Sequence, residues 1–242
     1  MSNFVEKLIK VAEENSATKG LISEENAKKL EALSSFMLEV NKNLNLTAIK
    51  DEDGVILKHL VDSSACVPFI PEGATLCDVG CGGGFPSLVI AILRGDVSVL
   101  GVDSVAKKVK YVSDAGAHLG LSNVSVSSRR AEELGQDGEY REKFDIVTAR
   151  AVARLNVLCE LCLPLLKIGG KFIAMKSLTT EEELSEAKNA IALVGGEVEG
   201  VKRYTLSDGK ETLERTIVVI KKVKKTPEKY PRNNSQIAKK PL

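Results

Sequence analysis

Nine residues constrain this chain more than any others: Asp78-Val79-Gly80-Cys81-Gly82-Gly83-Gly84-Phe85-Pro86. They follow a short strand-like run that starts at Thr75, and they lead into the apolar stretch Leu88-Val89-Ile90-Ala91. Strand, glycine turn and helix in that order open a unit in which a helix packs back on a parallel sheet. Glycines allow the sharp turn and let a ligand approach the backbone. Pro86 suits the first helical turn, where an N–H has no helical partner anyway.

From residue 75 onward, short β-branched or apolar runs alternate with helical stretches. Strands are expected at 75–79, 97–102, 123–127, 144–149, 170–175, 197–204 and 213–221. Helices are expected at 86–94, 104–119, 131–134, 154–166 and 180–194. That alternation predicts a doubly wound, mostly parallel seven-stranded α/β sheet. Ser207-Asp208-Gly209-Lys210 joins the last two strands without a helix, and Asp-Gly signals a hairpin, so the final strand should run antiparallel.

Before residue 67 the texture is helical. Phe4, Val5, Leu8, Ile9 and Ala12 recur at helical spacing, as do Leu30, Leu33, Met37 and Val40. Helices follow at 3–14, 23–41 and 52–66, the second capped by Ser23 with Glu24 and Glu25 at its positive end. The expected organisation is an N-terminal helical cap over 1–70, a core over 71–221 and a basic tail over 222–242.

Composition removes other classes. With 43% hydrophobic residues the 242-residue chain has enough apolar surface for a core and is not disordered. It lacks an apolar run long enough to span a membrane, and the N-terminus reaches Glu6 and Lys7 too early for a secretory signal. Five cysteines, an odd number, point to a reduced, cytoplasmic protein. The net charge of +1 conceals an asymmetry: residues 221–242 hold eight basic side chains against Glu228 alone. Such a tail is either a solvated extension or an arm that neutralises phosphates.

The spacing inside the glycine loop separates two cofactor classes. A dinucleotide fingerprint needs Gly or Ala where Phe85 stands. Asp78, Gly80, Gly82 and Gly84 instead fit D-x-G-x-G-x-G, which resembles the first motif of class I methyltransferases, Rossmann-like enzymes that bind S-adenosylmethionine. A carboxylate is compatible with the ammonium and sulfonium of that cofactor and would repel a pyrophosphate. Asp103, after the next strand, is placed to accept from a ribose diol.

Methyl transfer is an in-line displacement that depends chiefly on positioning. Amine methylases usually carry Asn/Asp-Pro-Pro-aromatic after the fourth strand, where this chain reads Thr148-Ala149-Arg150-Ala151-Val152-Ala153-Arg154. Pyrimidine C5 methylation needs a cysteine nucleophile, commonly after proline, and no Pro-Cys pair occurs. A ring nitrogen such as guanine N7 has a free lone pair and loses no proton, so it needs no acid/base pair. Arg129, Arg130, Arg150 and Arg154 follow strand ends, where they either fork to phosphate or a guanine edge or pair with nearby acids. Cys159 and Cys162 form a CxxC without a second pair, in an apolar helix, and read as core cysteines, so no metal is expected. His59 and Asp62 read as a surface or capping pair, and His118 as a helix-end histidine.

Across nearly its whole length the chain resembles the bacterial 16S ribosomal RNA (guanine-N7) methyltransferase G family, also called glucose-inhibited division protein B. The resemblance rests on Asn45–Ile49, His59–Ser63, Asp78–Pro86, Asp103-Ser104, Arg130–Glu132, Asp145–Leu155, Pro164–Lys167 with Gly169–Lys171, Tyr230–Arg232 and Lys240–Leu242. Cys81, Gly83 and Ser87 depart from the usual Ser, Ala and Gly, as do Val40, Ser235 and Ile237 at other positions. The resemblance implies transfer of a methyl group from S-adenosylmethionine to N7 of one guanine in small-subunit ribosomal RNA. It implies cofactor contacts from Gly80 and Phe85, a ribose contact from Asp103, an adenine region at Ala131 and Glu132, and Arg150 at the cofactor–substrate boundary. Arg130, Arg154, Lys176, Arg203, Lys229, Arg232, Lys239 and Lys240 are the candidates for RNA contact, and the resemblance makes His59, Asp62, Lys176, Arg203 and Arg232 candidates for contacting RNA or shaping the site. The expected partner is 16S RNA or the small ribosomal subunit, met by a monomer. The alternatives are a methyltransferase for a small molecule or protein, and an RNA-binding module without catalysis.

Overall fold

The computed structural model describes residues 1–177 and 181–242. Helix α1, Asn3–Glu14, is capped by Ser2, whose Oγ accepts from the Val5 amide at 3.2 Å. Helix α2, Glu24–Leu44, starts at the expected Ser23 cap. It runs three residues past the expected end, because the chain turns only at Asn45, which adopts a left-handed φ of 50°. The third helical region is less regular than its sequence implies. A turn capped by Asp51 (α3, Glu52–Gly54) leads into a π-helical stretch, Val55–Val61, and then into α4, Asp62–Ser64. The wider winding carries His59 and Asp62 into the interior, at 8% and 5% exposure, which discards the surface or capping reading and leaves the site-shaping one.

The sheet elements follow as β1 (Thr75–Val79), α5 (Ser87–Leu93), β2 (Ser98–Val102), α6 (Ala106–His118), β3 (Val124–Ser127), α7 (Ala131–Gln136), β4 (Phe144–Arg150), α8 (Leu155–Cys162), β5 (Leu166–Lys176), α9 (Glu181–Leu193), β6 (Gly196–Ser207), β7 (Thr212–Lys222) and α10 (Asn234–Lys239). The expected start of α9 at residue 180 lies outside the described residues. Helix α8 is shorter than expected: Pro164 interrupts it, a 3₁₀ turn spans Leu163–Leu165, and β5 begins already at Leu166.

The strand order is β3-β2-β1-β4-β5-β7-β6. Pairings among β1 to β5 are parallel, and β7 is antiparallel to both β5 and β6. Gly209, at φ 84°, sits in the hairpin turn. The order reverses between β1 and β4, and beyond the carboxyl ends of those strands an open sheet leaves a crevice.

Two apolar layers cover the sheet. One contains Leu8, Leu30, Leu33 and Met37 from α1 and α2 together with Leu88, Ile90, Tyr111 and Val112 from α5 and α6. The N-terminal helices therefore share a core with the sheet, and Phe36 stacks on Tyr111 and His118 at 5.9 and 4.7 Å. The other layer joins Leu134, Leu158, Cys159, Cys162 and Phe172 with Tyr230 from beyond β7. The segment expected as a basic tail is thus folded onto the body. Lys222, its expected first residue, is the fully buried last residue of β7. Its Nζ donates to the Leu163 carbonyl at 2.7 Å and to Thr226 Oγ1, and burial pushes the ammonium down to about 8. Tyr230 and Ile237 are also buried. Among the described residues, no helix is long and apolar enough to cross a membrane.

Candidate active site

The glycine loop between β1 and α5 is held by its own amides. Gly80 N and Cys81 N donate to the Val102 carbonyl at 2.8 and 3.0 Å, and Gly84 N to the Cys81 carbonyl at 2.7 Å. Gly82 N donates to Asp103 Oδ2 at 3.1 Å. A nucleotide diphosphate cradle needs such amides pointing at the ligand. Here four of them are engaged within the fold, which argues against a dinucleotide. Gly80 has φ 76°, and a Cβ there would come within 2.5 Å of Val152 Cγ2.

Asp78 is not beside the crevice. It is fully buried behind the loop, accepting from Thr148 Oγ1 at 2.9 Å and from the Ser87 amide at 3.2 Å. Burial raises its carboxyl to about 6 against the opposing pull of those hydrogen bonds. The carboxylate ties β1 to β4 and to the start of α5, so its expected proximity to a cofactor sulfonium is replaced by a role in holding the loop. Gly84 lines neither of the two cavities beside the loop and packs on Leu88.

Two cavities adjoin at Gly80, Asp103 and Val152. One, of about 330 Å³, is lined by the loop, Phe85, His59 and Arg150. The other, of about 220 Å³, is lined by Ser104, Arg130, Ala131, Glu132, Leu161 and Asn234. Together they fall within the roughly 300–1,000 Å³ usual for a small-molecule site. The residues suit a nucleoside joined to an amino acid. Asp103 and Glu132 supply acceptors, Val152, Ala131 and Leu161 supply apolar walls, and the glycine backbone allows close approach. Asp103 is oriented by Gly82 N and by Val105 N, which donates to its Oδ1 at 2.9 Å.

A third cavity, of about 360 Å³, lies on the other side of Arg150 and includes Lys58, His59, Asp62, Lys176, Tyr204 and Arg215. Arg150 ends β4 and is tightly held. Its Nη1 donates to Asp62 Oδ2 at 2.9 Å and to the Lys58 carbonyl at 2.8 Å. Arg215 Nε, from β7, donates to Asp62 Oδ1 at 2.9 Å. Two guanidiniums on one carboxylate leave one net positive charge beside the cavity. His59 stacks on Phe85 at 4.5 Å with 9° between planes, and its Nε2 lies 2.8 Å from Thr47 Oγ1. Burial and then the positive Arg150 bring the imidazole down to about 4, so it is neutral at pH 7. The residues not foreseen here are Thr47, Val152, Tyr204 and Arg215. Thr47 lies in a segment already marked by resemblance; Arg215 carries no local signal, because it lies on β7 opposite Tyr204 of β6 and meets Asp62 from 153 residues along the chain.

The cations expected to meet RNA are mostly paired. Arg154 meets Glu186 at 2.5 Å, Arg203 meets Glu181 at 2.6 Å, and Lys176 donates to Glu183 at 2.6 Å and to the Ala153 carbonyl at 3.1 Å. Arg130 is 4.0 Å from Glu132, and Lys229 lies over the Tyr230 ring at 5.1 Å. Arg232 forks onto the fully buried Glu160 at 2.8 and 2.6 Å, so it is a structural clasp and not a free phosphate ligand. Lys239 and Lys240 are exposed. Cys159 and Cys162 are buried with thiols pushed up by desolvation, and among the described residues no group of His, Cys, Asp and Glu is arranged to hold a metal.

The family model described as GidB, rRNA small subunit methyltransferase G, matches residues 25–213. This chain belongs to the rRNA small subunit methyltransferase G family. Its relatives include the ribosomal RNA small subunit methyltransferase G of Lactobacillus delbrueckii subsp. bulgaricus, 50% identical over 85% of this chain and 87% of that one. That of Caldicellulosiruptor bescii is 45% identical over 86% and 89%. Solved structures share the fold at low identity. A SAM-dependent O-methyltransferase from Thermotoga maritima has a TM-score of 0.51 at 17% identity, covering 79% of this chain and 72% of that one. NSun6 from Pyrococcus horikoshii with SFG has 0.54 at 16%, covering 67% and 51%. The methyltransferase G chain thus has a class I methyltransferase fold, mostly parallel with an antiparallel β7.

Proposed function

We propose that this methyltransferase G family member transfers the methyl group of S-adenosylmethionine to N7 of one guanine in 16S ribosomal RNA. The observation that carries the proposal is the position of Arg150, which walls both the glycine-loop cavity and the cationic cavity beyond it. S-adenosylmethionine, when bound, supplies an electrophilic methyl on a sulfonium. Gly80, Gly82 and Phe85 would line its path, Asp103 would hold the ribose hydroxyls, and Ala131 and Glu132 would flank the adenine. Asp78 and Gly84 act from behind, by shaping the loop.

Arg150 and Arg215, fixed by Asp62, would receive the RNA through a phosphate or the guanine O6 edge. No base is required, because guanine N7 presents its lone pair without losing a proton. This agrees with a site whose His59 is neutral and whose Asp62 carboxylate is already bound by two arginines. Arg130, Arg154, Lys176, Arg203, Lys229, Lys239 and Lys240 are placed in the proposal as secondary RNA contacts. The exposed ion pairs among them contribute about 0–1 kcal/mol and yield readily to phosphate. The acting unit is taken as a single chain in the cytoplasm, without metal.

The test is incubation of the protein with labelled S-adenosylmethionine and small subunits from cells lacking the gene, followed by mass mapping. One N7-methylguanosine in 16S RNA is expected. Label on no RNA, or on a base atom other than guanine N7, would overturn the proposal.

A further inference from the structure

The segment after β7 reaches the cofactor crevice. It is strapped down before it gets there. Arg141 donates through Nη1 to the carbonyl of Tyr230 at 2.8 Å and through Nη2 to that of Thr226 at 2.8 Å. Gln136 Nε2 donates to the Pro231 carbonyl at 2.8 Å. Pro231 lies so close to Gly135 of α7 that a Cβ there would come within 2.7 Å of its ring. Arg232 then closes on Glu160, its backbone N–H donating to Oε1 at 2.9 Å beside the two guanidinium contacts. Two residues later Asn234 lines the 220 Å³ cavity together with Ala131 and Glu132.

We propose that Asn234 binds the adenine edge of the cofactor, and that the Arg232–Glu160 clasp positions it, so that the C-terminal strap is part of the cofactor site. This rests on the reading of the 220 Å³ cavity as the adenine end. The chemistry of the side chain favours it. A carboxamide offers a donor and an acceptor together, the complement of adenine's N6 amine and N7, where hypoxanthine presents two acceptors. Asn233 is occupied as the cap of α10, accepting from the Gln236 amide at 3.0 Å, whereas no hydrogen bond engages the Asn234 carboxamide among the described residues. The other polar groups of this cavity bias it further. Glu132 and Asp103 accept but cannot donate when ionised; of the two side chains here that can do both, Ser104 offers a single hydroxyl and only Asn234 sets donor and acceptor side by side on one planar amide. The clasp is robust because Glu160 has no access to water and would be left charged and unpaired if Arg232 moved away. The segment after β7 therefore brings Asn234 to the wall of the crevice, and its positive charge is a secondary property of a segment whose position is set by packing.

The experiment is calorimetric titration of the full chain with S-adenosylhomocysteine and with its hypoxanthine counterpart, which carries oxygen in place of N6. In the wild type the adenine ligand should bind more tightly. Asn234→Ala should weaken the adenine ligand roughly tenfold, leave the hypoxanthine ligand nearly unchanged and so erase the preference, with the ligand-free melting temperature unaltered. Arg232→Ala should lose the same preference and also melt earlier, as a positioning residue would. Hydrogen exchange should slow over 233–239 when the adenine ligand binds. An unchanged preference in Asn234→Ala overturns the proposal while leaving the cofactor reading intact. Failure of the wild type to bind either ligand overturns both.

Discussion

The glycine loop and the Arg150 cluster lie on either side of Phe85 and are built in opposite ways. The loop is local: its ties run from Gly80 to Val102 and from Gly82 to Asp103, within one strand–helix–strand unit. The cluster is assembled from three distant segments, with Asp62 from the start of α4, Arg150 from β4 and Arg215 from β7. The loop is tuned by backbone conformation and the cluster by charge. On the proposed reading, the cofactor site tolerates changes in side chains but not in glycine, and the substrate site depends on one shared carboxylate.

The largest break should come at Gly80. Gly80→Val puts a branched side chain at a positive φ and against Val152, and binding of S-adenosylhomocysteine should fall at least about 100-fold by calorimetry. Unaltered affinity would remove the loop from the cofactor site. Asp62→Ala should do the reverse. It strands two partly buried arginines and should cost about 3–5 kcal/mol in urea unfolding, with methyl transfer to RNA largely lost. Affinity for S-adenosylhomocysteine should change less than tenfold; a loss as large as that of Gly80→Val would mean that the two regions are one unit.

A subtler difference concerns pH. His59 titrates near 4 when folded and near 6.5 when unfolded. Between those values the unfolded chain binds the extra proton, so stability falls as pH drops from about 6.5 to 4, by up to roughly 3 kcal/mol, and is level below. His59→Gln should flatten that part of the wild-type profile in urea midpoints taken from pH 4 to 7. Identical slopes in the two proteins would show that the imidazole is not held neutral. The smallest effect belongs to the rim. Arg154→Ala and Arg203→Ala should each shift stability by less than about 1 kcal/mol and reduce the salt dependence of RNA binding by about one counterion. A fall in RNA affinity with no change in salt slope would point to a structural role.

The elements that sequence made legible share a physical origin. The strand–loop–helix around Gly80, the alternation through β5 and the Asp208-Gly209 hairpin depend on backbone preference and hydrophobic period, both carried by neighbours in the chain. The misreadings share one too. Asp78 has the right spacing for a cofactor ligand, yet the last turn of β1 aims it behind the loop at Thr148. His59 and Asp62 at a spacing of three read locally as a surface or capping pair, and only the resemblance pointed to the site; a π-helical stretch ending at Val61 takes both inward. Lys222 and Arg232 looked like free tail charges, because nothing near them in the chain indicates that Glu142 and Glu160 will meet them.

Local order, then, was written in the chain: which segments are strands, where the backbone must be glycine, and which family the motifs belong to. Partnership was not. Whether a cation faces RNA or a buried carboxylate depends on sheet register and on burial, where the cost of an unpaired charge compels a partner from any distance along the chain. Those pairings exist only once β7 lies beside β5 and the strap has closed over α7 and α8.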